Sequence, residues 1–283
     1  MPPALRVLLA GALFATGGAL IKACEFPSLQ RAGLRALFAA MTLFAVLPSC
    51  RRWPDRRMLR LLPAYFGATC LFVVANTLTT AASAIFLQST APLWLLLFGP
   101  LLLHERPSRR DMLTLLGVAA GMTLCFVAPS EAAATAPDPA LGDWIALASG
   151  VSYALLLLGL RWLGRATPGQ NAAAIAWGNV FTFPVAFALM PLVGQTPIVG
   201  GTQDWLVIAL LGSCQVGAAY ALLAGALAEV PAVRASLLLM IEPALNPLIA
   251  YFAHGERPHL LTLLGGATIV GAVAIGSLLR RRR

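Results

Sequence analysis

Charge is what this sequence has least of. Only 11% of its 283 residues are Asp, Glu, Lys or Arg, against about a quarter in an ordinary soluble domain. Acidic residues are the scarcer sign, 11 against 20 basic ones, and histidine occurs three times. With 59% apolar residues beside so few charges, a soluble enzyme and a disordered chain are both excluded. The cysteines (Cys24, Cys50, Cys70, Cys125 and Cys214) are odd in number and scattered. They imply no disulfide framework, and most sit in apolar runs as small hydrophobes. There is no Gly-rich phosphate loop, no histidine pair at zinc spacing and no acidic cluster suited to magnesium. His104, His254 and His259 fall at the ends of apolar runs. The expectation is a protein that is not an enzyme and carries neither cofactor nor metal. Without a nucleotide-binding sequence, any uphill work would draw on an ion or substrate gradient.

What is present is apolar sequence, with a mean hydropathy of +0.81. A helix needs about 20 residues to cross a bilayer, so this length accommodates about ten spans and little else. Apolar runs fall at 4–22, 32–50, 60–80, 82–103, 111–129, 142–164, 171–193, 203–227, 231–253 and 259–279. None alternates like a membrane barrel strand. The turn between the third and fourth is expected near Ala81. Ile21-Lys22-Ala23-Cys24 faintly imitates a lipoprotein cleavage site, but a lysine beside the cleavage point argues for an uncleaved first span. The net charge of +9 does not imply nucleic acid, because the basic residues form short runs between spans. With the N-terminus in the cytoplasm, nearly all arginines fall inside: Arg6, Arg51 to Arg60, Arg106 to Arg110, Arg161, Arg165, Arg234 and Arg280 to Arg283. Lys22, Arg31, Arg35 and Arg257 lie outside or near the outer ends, as does the acidic loop with Glu131, Asp138 and Asp143. Both termini are therefore expected in the cytoplasm.

The chain also repeats itself at an offset of 151 residues. Ala84 leads to Pro92, Glu105-Arg106-Pro107 and Thr114-Leu115-Leu116-Gly117. Ala235 leads to Pro243, Glu256-Arg257-Pro258 and, after a connection three residues shorter, Thr262-Leu263-Leu264-Gly265. A repeat of five helices is odd in number, so the second copy must enter the membrane from the opposite side. The expected fold is an all-α polytopic membrane protein with ten transmembrane helices in two inverted five-helix repeats. Residues 1–130 form the first repeat, and 140–283 the second, with a basic cytoplasmic tail. Inverted repeats suit a secondary transporter that alternates access to a midplane site.

These elements resemble the EamA family of the drug/metabolite transporter superfamily, across essentially the whole chain. The matching residues are Lys22 late in span one and Arg35-Ala36 opening span two. Ala91-Pro92 with His104-Glu105-Arg106-Pro107 and Glu242-Pro243 with Gly255-Glu256-Arg257-Pro258 match as well. The chain departs from the pattern at Phe14-Ala15, where the family typically has a Trp. The resemblance implies an exporter of amino acids or related small metabolites in the bacterial inner membrane, with the lipid bilayer and a small-molecule substrate as its partners. Multidrug efflux is the alternative, for which an aromatic-lined cavity is expected. A membrane-embedded lipid-handling enzyme or scaffold would need clustered charged residues at one interface, and none is seen.

Polar side chains deep in apolar runs are costly and point to function. Glu242 is the only acid near the middle of a span, and a carboxyl there can bind substrate or carry a coupling proton. Helical spacing sets Ala235, Leu239, Glu242, Asn246 and Ile249 on one face. The repeat maps that face onto Ala84, Gln88, Ala91 and Leu95, so Gln88 and Glu242 are expected to approach a common volume. Pro243 and Pro247 free backbone carbonyls nearby. Further candidates for the substrate site are Asn76 in span three and Trp94 in span four. Span six adds Ser152 and Tyr153 beside Ser149, span seven either Trp177 or Asn179, and span eight Gln215 and Tyr220. Each can instead serve as interhelical glue. Lys22 and Arg35 can attract an anion or snorkel to the outer surface. Gly117 and Gly121, with Gly265, Ala267 and Gly271, are expected to pack spans five and ten closely.

Overall fold

Apolar runs become helices in the computed structural model, which describes residues 1–91, 93–95, 97–98, 109–129, 133–166, 170–227, 238–239 and 241–280. The first run is α1 (Pro3–Ala15) and α2 (Gly17–Lys22), and the second is α3 (Ser28–Val46). Short α4 (Arg56–Leu59) leads into α5 (Leu62–Leu78), and α6 (Ala81–Gln88) opens the fourth run. Then come α7 (Arg109–Val127), α8 (Pro139–Ala166) and α9 (Gln170–Leu189). The eighth run is α10 (Thr202–Leu210), a π-helical stretch (Leu211–Ala218) and α11 (Ala219–Leu227). Helices α12 (Ile241–His254) and α13 (Leu260–Arg280) complete the chain. Among the described residues there is no strand, only an isolated bridge between Ala133 and Ala136.

Among the described residues, six helical stretches are long and apolar enough to cross a membrane: 3–22, 28–46, 56–78, 139–160, 170–189 and 202–223. Met112–Val127 and Leu260–Ile275 are apolar but shorter. Large apolar side chains also face outward, with Phe252 82% exposed and Leu206 67%, which suits hydrocarbon and not water. The chain is an all-helical, multi-pass membrane protein.

Local chemistry sets the helix ends. Asp55 accepts from the Arg57 and Met58 amides to start α4, and Pro63 occupies the first turn of α5, where its missing N–H costs nothing. Thr80 caps α6 by accepting from the Ser83 amide. The break between α5 and α6 thus falls at Thr79-Thr80, beside the turn expected at Ala81. The second run begins at Ser28, four residues before the expected 32. Pro27 fixes the chain just before it, and Arg31 turns inward to donate to the Ile21, Cys24 and Phe26 carbonyls. Carbonyls at the end of α2 satisfy a cation that apolar periodicity places at a span mouth. Asp143 is likewise no loop residue. It is buried in the first turns of α8 and accepts a hydrogen bond of 2.7 Å from Thr79 Oγ1.

Spans five and ten pack on each other through glycine. A Cβ at Gly121 would stand 2.6 Å from the Gly265 carbonyl oxygen, and one at Gly117 would stand 2.6 Å from Ala272 Cβ. Gly271 is no part of this seam, because nothing lies within 4 Å of a Cβ built there. Ala235, Glu105-Arg106-Pro107, Pro92 and Glu131 lie outside the described residues, and so does the start of span nine.

Candidate functional site

The first span is interrupted halfway. Thr16 turns its hydroxyl onto the Leu13 carbonyl at 2.7 Å, and Gly17 and Gly18 follow without side chains. Two amides use that bare backbone. Gln215, in the π-helical stretch, donates to the Phe14 carbonyl at 3.2 Å, and its nitrogen would be 2.8 Å from a Cβ at Gly17. Asn246 of α12 holds its amide oxygen 2.9 Å from where a Gly18 Cβ would sit. A helix break, a π-helical stretch and a helix with Pro247 inside it meet in one place. Such irregular backbone is tolerated at membrane depth where it is buried in protein or lines a cavity.

Aromatic and ionisable side chains gather beside it. Phe14 meets Tyr220 edge-on at 5.1 Å. Tyr220 and Tyr153 pack against the cluster that holds Tyr65, whose hydroxyl accepts from Asn179 Nδ2 at 2.7 Å. Arg35 is buried at the eighth position of the 19-residue α3. Its guanidinium lies within electrostatic range of Tyr65, Tyr220 and Glu242, and Glu242 within that of Tyr153 and Tyr220. Glu242 as a whole residue is only partly buried.

Six of the side chains singled out from sequence therefore come together: Glu242, Asn246, Gln215, Tyr220, Tyr153 and Asn179. The others are placed elsewhere. Gln88 is tied to the Ala68 carbonyl at 3.0 Å and to Ser149 Oγ at 2.7 Å, locking α6 to α5 and α8. Trp177 stacks on Trp53 and donates to the Arg52 carbonyl, fastening the end of α9; of the two choices in span seven, Asn179 is the one that joins the cluster. Ser152 returns to the Ala148 carbonyl and lines a groove with Arg60, Leu61 and Pro63. Trp94 stacks on Phe98 and reaches Thr90. Asn76 is buried and donates within its own helix to the Phe72 carbonyl. Arg35, for which the sequence left open anion attraction or snorkelling to the outer surface, is buried. Its signal was a lone cation well inside an apolar run, displaced by the late start assigned to span two.

At one end the assembly is sealed. Lys22 and Glu256 form an ion pair of 2.7 Å, both side chains almost fully buried. Lys22 also donates to the Thr79 carbonyl at 2.7 Å and to that of Thr135. Glu256 accepts from the Ala81 amide at the start of α6, and His254 meets the Ala19 carbonyl at 2.7 Å. Lys22 does not snorkel: carbonyls and a carboxylate match its charge inside the protein.

A polar centre among broken helices, walled by apolar spans and shut on one face, defines a membrane transporter. The family of EamA-like transporters matches residues 1–127 and again 140–278, and the chain belongs to it. An uncharacterized transporter of Archaeoglobus fulgidus is 26% identical over 272 residues, covering 95% of this chain and 94% of its own length. The uncharacterized transporter YdfC of Bacillus subtilis is 28% identical over 255 residues, 83% of this chain and 76% of its own. A protein of known crystal structure shares the fold with a TM-score of 0.67 at 22% identity, covering 99% and 98% of the two chains.

Proposed function

We propose that this protein is a secondary transporter of the bacterial inner membrane that exports amino acids or related small metabolites by alternating access. The observation that carries the reading is the convergence of Asn246, Gln215 and Tyr220 on the interrupted first span, with Arg35 and Glu242 within electrostatic range of Tyr220. Polar side chains at this depth are expensive unless they serve a pathway, and substrate sites built on discontinuous helices are how secondary transporters solve that problem. Residues 1–130 and 140–283 act as two inverted five-helix halves. The double match of one family model and the shared Glu-Arg-Pro spacing support that division. Both termini face the cytoplasm, as the arginine distribution demands.

Glu242 is the coupling residue in this reading: it takes a proton from one side and exchanges it for the amine of a substrate. Arg35, Tyr153 and Tyr220 are the ionisable groups within electrostatic range of it. Glu242→Gln keeps shape and hydrogen bonding but cannot ionise. In proteoliposomes offered a panel of amino acids and cationic drugs, the wild type concentrates an amino acid under a pH gradient. The Gln variant inserts normally and loses the proton-driven part. Concentrative transport by Glu242→Gln with an unchanged pH profile sinks the coupling role, and a wild type that moves no panel member sinks the transporter reading. The packing of Phe14 on Tyr220, beside Tyr65 and Tyr153, favours a second reading, multidrug efflux of aromatic cations, which the same panel separates.

A further inference from the structure

Two arginines lie four residues apart on α3, and their fates differ. Arg31 gives both terminal nitrogens to three backbone carbonyls, leaving only its Nε unmatched. Arg35 is 92% buried by the same measure, its relative exposure being 8%, yet among the described residues nothing hydrogen-bonds its Nη1. Gln215 Oε1 and both amide atoms of Asn246 are buried and unmatched in the same way. An unmatched buried polar group costs about 1–3 kcal/mol, and more when charged, so a helix bundle that keeps several together is shaped for a polar guest. Glu242 carries the opposite charge within electrostatic reach of Arg35. Among the described residues the two form no ion pair with each other. Arg35 and Glu242 are thus a cation and an anion within electrostatic reach that do not neutralise each other directly.

We propose that Arg35 is the anchor for the substrate's carboxylate and that Glu242 receives its ammonium group, so the site selects zwitterionic α-amino acids. This rests on the transporter reading above and adds its specificity-determining residue. The planar guanidinium presents a fork of donors that a carboxylate fits with two parallel bonds. Arg35 comes from the first half of the chain and Glu242 from the second, so one short zwitterion touches both halves at once. The open amides of Asn246 and Gln215 can donate to the carboxylate and accept from the ammonium. An amine that lacks the carboxylate leaves Arg35 buried and unmatched, and sites built this way reject such analogues strongly, by up to about 10⁴-fold.

The test uses matched trios on the purified full-length protein in nanodiscs: L-phenylalanine, phenethylamine and 3-phenylpropionate; L-leucine, isoamylamine and 4-methylpentanoate. Binding is read by thermal stabilisation and calorimetry for the wild type, Arg35→Gln and Arg35→Lys. The expected result is that a zwitterion binds and its two partners bind about 100-fold or more weakly. Arg35→Gln then loses the zwitterion, while Arg35→Lys, which keeps the charge but not the fork, retains weakened binding. Amine and zwitterion binding equally, or Arg35→Gln holding the zwitterion as well as the wild type, overturns the assignment. So does a panel in which no zwitterion binds. If Arg35→Gln is not monodisperse, the wild-type trios and Arg35→Lys decide alone. A protein that transports the amines and not the amino acids in the proteoliposome assay remains a transporter and loses this inference, so the two failures are distinguishable.

Discussion

Asn179 and Tyr65 illustrate at the scale of single residues how this membrane protein handles polarity. Asn179 donates to the Tyr65 hydroxyl at 2.7 Å and to the Ile175 carbonyl at 3.0 Å. Removing the hydroxyl therefore leaves the amide partly satisfied. Tyr65→Phe should cost only about 0.5–1 kcal/mol, the ordinary worth of an interhelical bond in a bilayer. Gly178→Ala should cost more, about 1–3 kcal/mol by overpacking, because its Cβ would stand 2.5 Å from the Tyr65 ring. Reversible unfolding in mixed micelles measures both, and an alanine tolerated better than the phenylalanine would contradict the packing at that point. Sequence reading reaches such residues unevenly. Glu242, Asn246 and Gln215 were legible because a polar side chain inside an apolar run is conspicuous. Gln88 was equally conspicuous, but its bonds to Ala68 and Ser149 depend on which helices neighbour it, and periodicity does not state that. Arg35 was visible, with anion attraction and snorkelling both open. Its burial follows from the start of α3, which Pro27 and three backbone carbonyls determine.

Elements are joined at one face by the Lys22–Glu256 pair. It links the end of the first span, the α5–α6 turn, the loop carrying Thr135 and the chain between α12 and α13. A buried pair contributes little over apolar residues of similar size, but losing one partner strands the other charge, at about 3–5 kcal/mol. Glu256→Gln should therefore lower stability strongly and loosen this face. Lys22→Met combined with Glu256→Met should recover most of the loss. Unfolding midpoints of the two single variants and the double variant check this. A second reading comes from a cysteine at Ala82, which is 1% exposed in the sealed form. In a cysteine-free background it should label with a thiol reagent faster in Glu256→Gln than in the parent. Equal rates with equal midpoints would mean that the pair seals nothing. The sequence displayed both partners, Lys22 as a possible anion attractor and Glu256 only as part of a repeated stop signal. Their contact joins residues 234 positions apart, and only the packed bundle reveals it. Spans five and ten are the opposite case, since Gly117, Gly121 and Gly265 advertised a close seam that forms as expected, with Ala272 and not Gly271 completing it.

For the whole molecule, contacts sort the connections onto two faces before any membrane is considered. Lys22, Thr79, Thr135 and Glu256 meet on one face. On the other, Gln170 reaches Asp55 and Trp177 reaches the Arg52 carbonyl. The second of these faces carries the run Arg51, Arg52, Arg56, Arg57 and Arg60, and a cluster of arginines in a short loop stays on the cytoplasmic side during insertion. In the orientation proposed above, the first face is external. Ala134 and Ala140 are exposed there, and Asp55 is exposed on the other. The proposed repeat adds a relative constraint: a five-helix unit copied once would reverse its direction across the bilayer. Single cysteines at Ala134 and Ala140, in a cysteine-free background, should react with an impermeant thiol reagent on intact cells. Cysteines at Asp55 and Ser108 should stay protected until the membrane is opened. Ser108 follows the first Glu-Arg-Pro stop and Glu256 belongs to the second, so the two stops must lie on opposite sides. Labelling of both pairs from the same side would remove the inverted repeat, and with it the geometric basis for one substrate being handed between two halves.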